Sequence, residues 1–335
     1  MNNIDILRTF AIFAVLTHHL AHVYHIQIPF FHQHGGWFGV QLFFLLSGYL
    51  IVQSAEKYRL QTYFIHRVLR IFPAYLVAYI ILGWHNGVIT FERVVEYPIE
   101  FIFNLTLLQQ LQPKAALTFE VLHTTWTLTI ELCWYLCAPL LVKPLRRFPN
   151  LILMLSCLIA TLWTWLATHH YLDWIFTNPM HVLSDGERYL FLNNAFPAQL
   201  CFFIIGAYIY FQRDFLVKQN PFLLASVSLF ILSSWSELSA MTTNPNFISG
   251  IGLGALMVIA LQSPIWQCLV LKQVADISYS IYLLHFPLLI YIFHTLNLSG
   301  YSGAFYSLIF ILMASTLSYR LIEKPAMNLA RRWRT

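Results

Sequence analysis

Arg8 and His19 stand eleven residues apart in the apolar run 4–24, IDILRTFAIFAVLTHHLAHVY, which also holds Asp5, His18 and His22. At ~100° and ~1.5 Å per residue in a helix, the pair shares one face with ~16 Å between them along the axis. A charged or titratable group inside a membrane span costs roughly 2.5–3.5 kcal/mol on insertion scales, so it normally meets a cavity or a partner. A guanidinium at one end and an imidazole deep within can bind an anion and move a proton. The competing reading is a snorkelling arginine and a histidine bonded to a neighbouring helix, and this run alone weighs the two equally.

Four further places carry polar chemistry in apolar surroundings. Arg67 and Arg70, with His66 beside them and Pro73 following, lie at i and i+3 on one face. Two adjacent guanidiniums suit phosphates in forked geometry, although positive-inside anchoring explains them equally well. Glu131, in HTTWTLTIE, is about nine residues, ~14 Å, below the outer end of its apolar segment, at a depth comparable to His19. Its partner is open among Arg8, His19 and His123. Ser47 puts a hydroxyl mid-segment beside Gly48, with Gly36 and Gly39 allowing close helix approach. His285 lies mid-segment just before Pro287, and Glu323-Lys324-Pro325 ends the last run.

Two patterns carry less. His18, His22 and His25 have a spacing that can bind a metal, but no carboxylate or cysteine accompanies them, so no metal is expected. Gly250, Gly252 and Gly254 precede no strand, which makes them a helix-packing feature and not a nucleotide loop.

The elements that must position these residues are membrane helices. The chain has 335 residues, 59% hydrophobic and only 10% charged, far from the soluble average. Eleven apolar segments can be drawn, roughly 4–25, 36–53, 68–84, 95–111, 122–142, 150–168, 191–212, 221–238, 247–263, 277–295 and 301–321. If all eleven cross, only 7 of the 19 Lys and Arg fall on the side of Arg8. If 95–111 does not cross, 16 of the 19 do, leaving only Arg93, Lys114 and Arg188 outside. The expected fold is therefore an all-α polytopic membrane protein of about ten transmembrane helices. Both termini would be cytoplasmic, with 95–111 re-entrant or at the surface.

No soluble domain of any size is visible, and the first run reads as a retained span, not a cleavable signal. The polar stretch 168–189, with His169, His170, Asp173, His181, Asp185, Glu187 and Arg188, reads more readily as a loop than as an acceptor contact. The modest basic excess is orientation information and gives no nucleic-acid partner. Cys133, Cys137, Cys157, Cys201 and Cys268 lack zinc-site spacing and read as buried small hydrophobes.

Taken together and in order, these blocks resemble the acyltransferase-3 family of integral membrane O-acyltransferases. Arg8 and His19 match its Arg-x10-His pattern, and Phe43-Phe44-Leu-Leu-Ser47-Gly48 its FFxxSG block. Arg67-Val-Leu-Arg70 matches Arg-x-x-Arg, and Trp126-Thr-Leu-Thr-Ile-Glu131 matches WSLxxE. Ser278-Tyr279-Ser280-Ile-Tyr282-Leu-Leu-His285-Phe-Pro287 and Glu323-Lys324-Pro325 match the C-terminal blocks. Gln41 departs from the pattern, which often has Asp there. The SGNH domain of some members is not visible.

The resemblance implies one integral membrane acyltransferase domain over 1–335 in a bacterial inner (cytoplasmic) membrane. It implies no bound cofactor, with acetyl-CoA or another acyl-CoA as donor substrate. The acceptor would be a hydroxyl of a saccharide or lipid-linked glycan, such as lipopolysaccharide O-antigen. Membrane lipids complete the partners, and a homo-oligomer stays open. His19 would be the base, Arg8 and Glu131 its catalytic companions, with Arg67, Arg70, Ser47, Trp126 and His285 binding substrate. A rival from another class is a flippase of a lipid-linked glycan, with Arg8, Glu131 and His285 along its path. A second rival keeps acyl transfer but makes His285 the base.

Overall fold

The computed structural model describes residues 3–176, 184–241, 245–263, 268–296 and 298–332. The expected loop residue His181 and tail residue Arg334 lie outside the described residues. Every regular element among the described residues is helical.

The chain opens with α1 (Asn3–Val23), α2 (Gly36–Lys57) and α3 (Leu60–His85). Three short helices follow, α4 (Phe91–Glu96), α5 (Pro98–Leu105) and α6 (Pro113–Thr118). Then come α7 (Trp126–Arg147), α8 (Pro149–Thr168), the single turn α9 (Asp185–Arg188) and α10 (Phe196–Phe211). The rest comprises α11 (Arg213–Leu216), α12 (Pro221–Ser233), α13 (Trp235–Met241), α14 (Pro245–Gln262), α15 (Leu269–Leu296), α16 (Gly300–Ser318) and α17 (Lys324–Ala330).

Among the described residues, eight helical stretches are long and apolar enough to cross a membrane, and α12 and most of α14 form two shorter apolar helices. The protein is thus an all-α polytopic membrane protein, with ten apolar helices of the expected kind. Residues 95–111 break into the end of α4, α5 and a 3-10 turn, Gln109–Leu111, all too short to span. Prolines at the first turn start α5, α6, α8 and α12, where a missing N–H costs nothing.

Helix ends differ from the expectation where polar residues face inward. α3 begins at Leu60, not near 68, so Arg67 and Arg70 lie two to three turns inside it. α7 begins at Trp126, not 122, because His123 takes a left-handed backbone, φ 59°, that ends the preceding loop. Glu131 is therefore five residues, ~7.5 Å, into its helix and not nine.

The glycines act at crossings. A Cβ on Gly48 would overlap the Phe203 carbonyl, and one on Gly206 would overlap the Leu45 carbonyl, so α2 and α10 meet backbone to backbone. Gly39 likewise sits against the Ala11 carbonyl, and Gly250 and Gly254 against Ile205, a packing role throughout. The stretch before α10 is tied down locally. Arg188 donates to both Asp173 oxygens at 3.0 and 2.8 Å and to Asp185 at 2.7 Å, while Ser184 and Glu187 form a capping box. The Arg188 guanidinium holds the Asp173 carboxyl below its usual range. Of the five free cysteines only Cys201 is buried. The other four are half-exposed, so the buried reading holds for one.

Candidate active site

The first turns of α1 and the N-terminal half of α3 bring three arginines to one cavity. Arg8, Arg67 and Arg70 line it together with Ser47 of α2, Glu131 and Tyr135 of α7, and Tyr279 and Tyr282 of α15. Helices from both ends of the chain thus meet here, which is why no local window of sequence shows the cavity.

The three cations differ in their partners. Arg70 makes an ion pair with Glu323 at 2.6 Å and lies over the Tyr279 ring. The Glu323 side chain is 0% exposed, and Ser280 donates to its other oxygen at 2.8 Å. Arg8 is 3.9 Å from Asp5, one turn away. Arg67 has no carboxylate partner among the described residues. It lies over the Tyr63 and Tyr135 rings, reaches Ser54 only at 3.4 Å, and its buried Nε has no acceptor. A guanidinium with unspent N–H donors at a cavity wall is arranged to receive an anionic oxygen.

Glu131 faces the same space but is already engaged. Its Oε1 accepts from Ser47 Oγ at 3.0 Å and from Tyr135 Oη at 2.6 Å. Among the described residues it makes no bond to His19, Arg8 or His123, so it is the carboxylate that fixes Ser47 and Tyr135. His123 instead meets Glu120, at 3.4 Å.

His19 does not line this cavity. Its ring packs 5.1 Å from His285 and 4.9 Å from Phe286, beyond the Tyr282 wall. His285 is 0% exposed. Its Nδ1 lies 2.7 Å from the Tyr282 carbonyl oxygen and 3.2 Å from that of Ile281, so Nδ1 carries the proton and Nε2 is a bare acceptor. That Nε2 is buried without a partner. The Tyr282 hydroxyl is pinned to Thr127 Oγ1 at 2.6 Å and to the Thr124 carbonyl at 3.0 Å. Tyr282 therefore forms a fixed partition, with the arginine cavity on one side and the histidine pair on the other.

The remaining expectations divide. His18 turns away from His19's partners and bonds the His32 carbonyl at 2.8 Å. No cluster of three potential metal ligands occurs among the described residues. Trp126 packs edge-on to Phe44 and lies off the cavity wall. Gln41 is fully buried with neither amide atom bonded, and it does not reach the cavity. Tyr279 and Tyr282 belong to the site's walls, and Glu323 stands behind them as the partner of Arg70. Their only sequence signal was membership in the two C-terminal blocks.

With this geometry in view, comparison with known proteins is informative. The acyltransferase domain family matches residues 1–321. The chain is 26% identical over 364 residues to nodulation protein 10 of Rhizobium leguminosarum bv. viciae, covering 98% of this chain and 94% of that protein. It is 24% identical over 306 residues to an O-acetyl transferase of Shigella phage Sf6, covering 86% and 84%. It is 25% identical over 363 residues to O-acetyltransferase OatA of Staphylococcus aureus, covering 96% of this chain but only 56% of that protein. No solved structure matches. The chain belongs to the acyltransferase-3 family, and it is a membrane O-acyltransferase.

Proposed function

We propose that this enzyme takes an acyl group, acetyl in the first instance, from acyl-CoA held at the arginine cavity and passes it to a saccharide hydroxyl. The observation that carries this is Arg67, a cation with unspent donors on a wall it shares with Arg8 and Arg70. CoA phosphates are the natural anion for such a wall, and two relatives are named for O-acetyl transfer. The excess of Lys and Arg on the Arg8 side supports a cavity that opens toward the cytoplasm, where acetyl-CoA is made.

His19 lies ~16 Å further along α1 than Arg8, a gap that an extended pantetheine arm bridges once Tyr282 releases Thr127 and Thr124 and turns aside. His19 is half-buried, not sealed as His285 is, which suits it better to meet a hydroxyl. Its imidazole takes the hydroxyl proton while the alcohol oxygen bonds to the thioester carbonyl carbon. The carbon–sulfur bond then breaks, and the departing CoA thiolate takes the proton from His19. Arg8 steadies the anionic donor on the way in.

A second reading makes His285 the base, and its bare Nε2 favours it. Its complete burial weighs against direct contact with an acceptor, so His285 serves better as the residue that accepts a His19 N–H and fixes its tautomer. The test is free-CoA release by purified protein in lipid nanodiscs supplied with acetyl-CoA. Arg67→Ala is expected to raise the KM for acetyl-CoA, and movement of a lipid-linked glycan with no thioester cleavage would replace this reading by the flippase.

A further inference from the structure

At the end of the bundle away from the arginines lies a second cavity, lined by Asn86, His123, Pro287, Tyr291, His294 and Thr295 among others. It sits where the C-terminal end of α3, the residues leading into α7 and the last turns of α15 converge. α15 serves both cavities. Tyr282 faces the first and Pro287 the second, and these are five residues, ~7.5 Å, apart, with His285 between them. Phe286 completes the partition, its ring 4.9 Å from His19 on one side and 5.3 Å from His123 on the other.

The lining has a distinct chemistry. Asn86, His123, His294 and Thr295 offer hydrogen-bond donors and acceptors, and Tyr291 presents an exposed ring braced by His85 at 5.3 Å. No Lys, Arg, Asp or Glu lines the groove, so nothing there calls for a phosphate or carboxylate. A lipid headgroup would be left without a charge partner, whereas a neutral polyhydroxyl ring would find both an aromatic face and hydrogen-bonding groups. His123 is also held at φ 59°, a left-handed conformation costly for a non-glycine residue and found disproportionately at binding sites.

We propose that this groove is the acceptor subsite and holds a neutral saccharide ring with one hydroxyl directed past Phe286 at His19. The proposal rests on the acyl-transfer reading for its biological purpose, but its binding chemistry stands alone. Donor and acceptor then enter from opposite ends and meet at the partition of Tyr282, His285 and Phe286.

The test is saturation-transfer NMR on the full-length protein in nanodiscs, with methyl glycosides of common hexoses and N-acetylhexosamines as probes. At least one glycoside is expected to bind. Tyr291→Ala and His294→Ala should each weaken it by about 10-fold or more, while Tyr291→Phe, which keeps the ring, retains it. Thr295→Trp, which fills the groove from its exposed rim without removing a packed side chain, should give the same loss. All four variants should keep wild-type affinity for acetyl-CoA, which shows that they are folded. Binding by none of the glycosides overturns the saccharide assignment, and unchanged binding in the alanine and tryptophan variants overturns the location. Failure of the acyl-transfer reading would look different, as glycoside binding in the groove with no CoA release.

Discussion

The His285 ring stands 5.1 Å from the His19 ring, with its Nδ1 committed to backbone carbonyls and its Nε2 bare. On the proposed function, His285 acts as a positioning residue for His19. Replacing His285 by Gln retains a hydrogen-bonding group but not the imidazole. It should lower kcat about 10-fold while leaving the KM for acetyl-CoA unchanged, because Tyr282 and the arginine wall are untouched. His19→Ala should cost about 100- to 10,000-fold, the usual worth of a general base. Steady-state CoA release on the two variants separates the roles, and a larger loss in His285→Gln than in His19→Ala would reverse them.

Arg70 and Glu323 form the second relationship to test. Removing Arg70 strands a carboxylate that is 0% exposed, and breaking a buried pair in this way costs about 3–5 kcal/mol. Arg70→Ala should therefore melt well below the wild type. Arg70→Ala with Glu323→Gln should recover much of that stability without recovering acetyl-CoA affinity. If the double variant binds acetyl-CoA normally, Arg70 is structural only.

The crossing of α2 and α10 gives a prediction free of catalysis. Gly48→Ala places a Cβ against the Phe203 carbonyl, and backbone cannot step aside as a flexible side chain can. Overpacking of this kind costs about 1–3 kcal/mol, so thermal melting in nanodiscs should fall. Gly186→Ala, where a Cβ meets open space, is the matched control and should leave melting unchanged.

Acid should loosen the segment before α10 only below the ordinary carboxylate range. The Asp173 carboxyl is held below its usual value by Arg188, and a depressed folded value means stability that is present above the unfolded value. That contribution is complete above about pH 4 and disappears as pH falls through the folded value. Hydrogen exchange at residues 184–189 should be flat from neutral pH down to about pH 5 after correction for intrinsic rates. Asp173→Asn should raise it across that whole range, and a variant with wild-type protection would show that the pair holds nothing in place.

Much of the architecture was legible because membrane helices announce themselves by length and hydropathy. Charge asymmetry alone picked out 95–111 as the segment that does not cross, and the structure breaks it into short pieces. The catalytic blocks were legible as patterns, but their pairings were not. Arg70 meets Glu323 from the far end of the chain, and His19 meets His285 in the same way. Such contacts leave no local spacing to read. The sequence also left the partner of Glu131 open among Arg8, His19 and His123, whereas proximity of helices gave it Ser47 and Tyr135. Helix starts differ from expectation for two physical reasons. The polar residues that open α3 at Leu60 look, in one dimension, like residues that face water. The left-handed backbone of His123 delays α7 to Trp126.

The central claim is acyl transfer to a glycan with His19 as the base. Its most direct test is the O-acetyl content of surface glycans, measured by NMR on cells lacking the gene and complemented with wild-type or His19→Ala protein at equal membrane abundance. The account predicts O-acetyl signals restored by the wild type and absent with His19→Ala. Equal restoration by both proteins would contradict it.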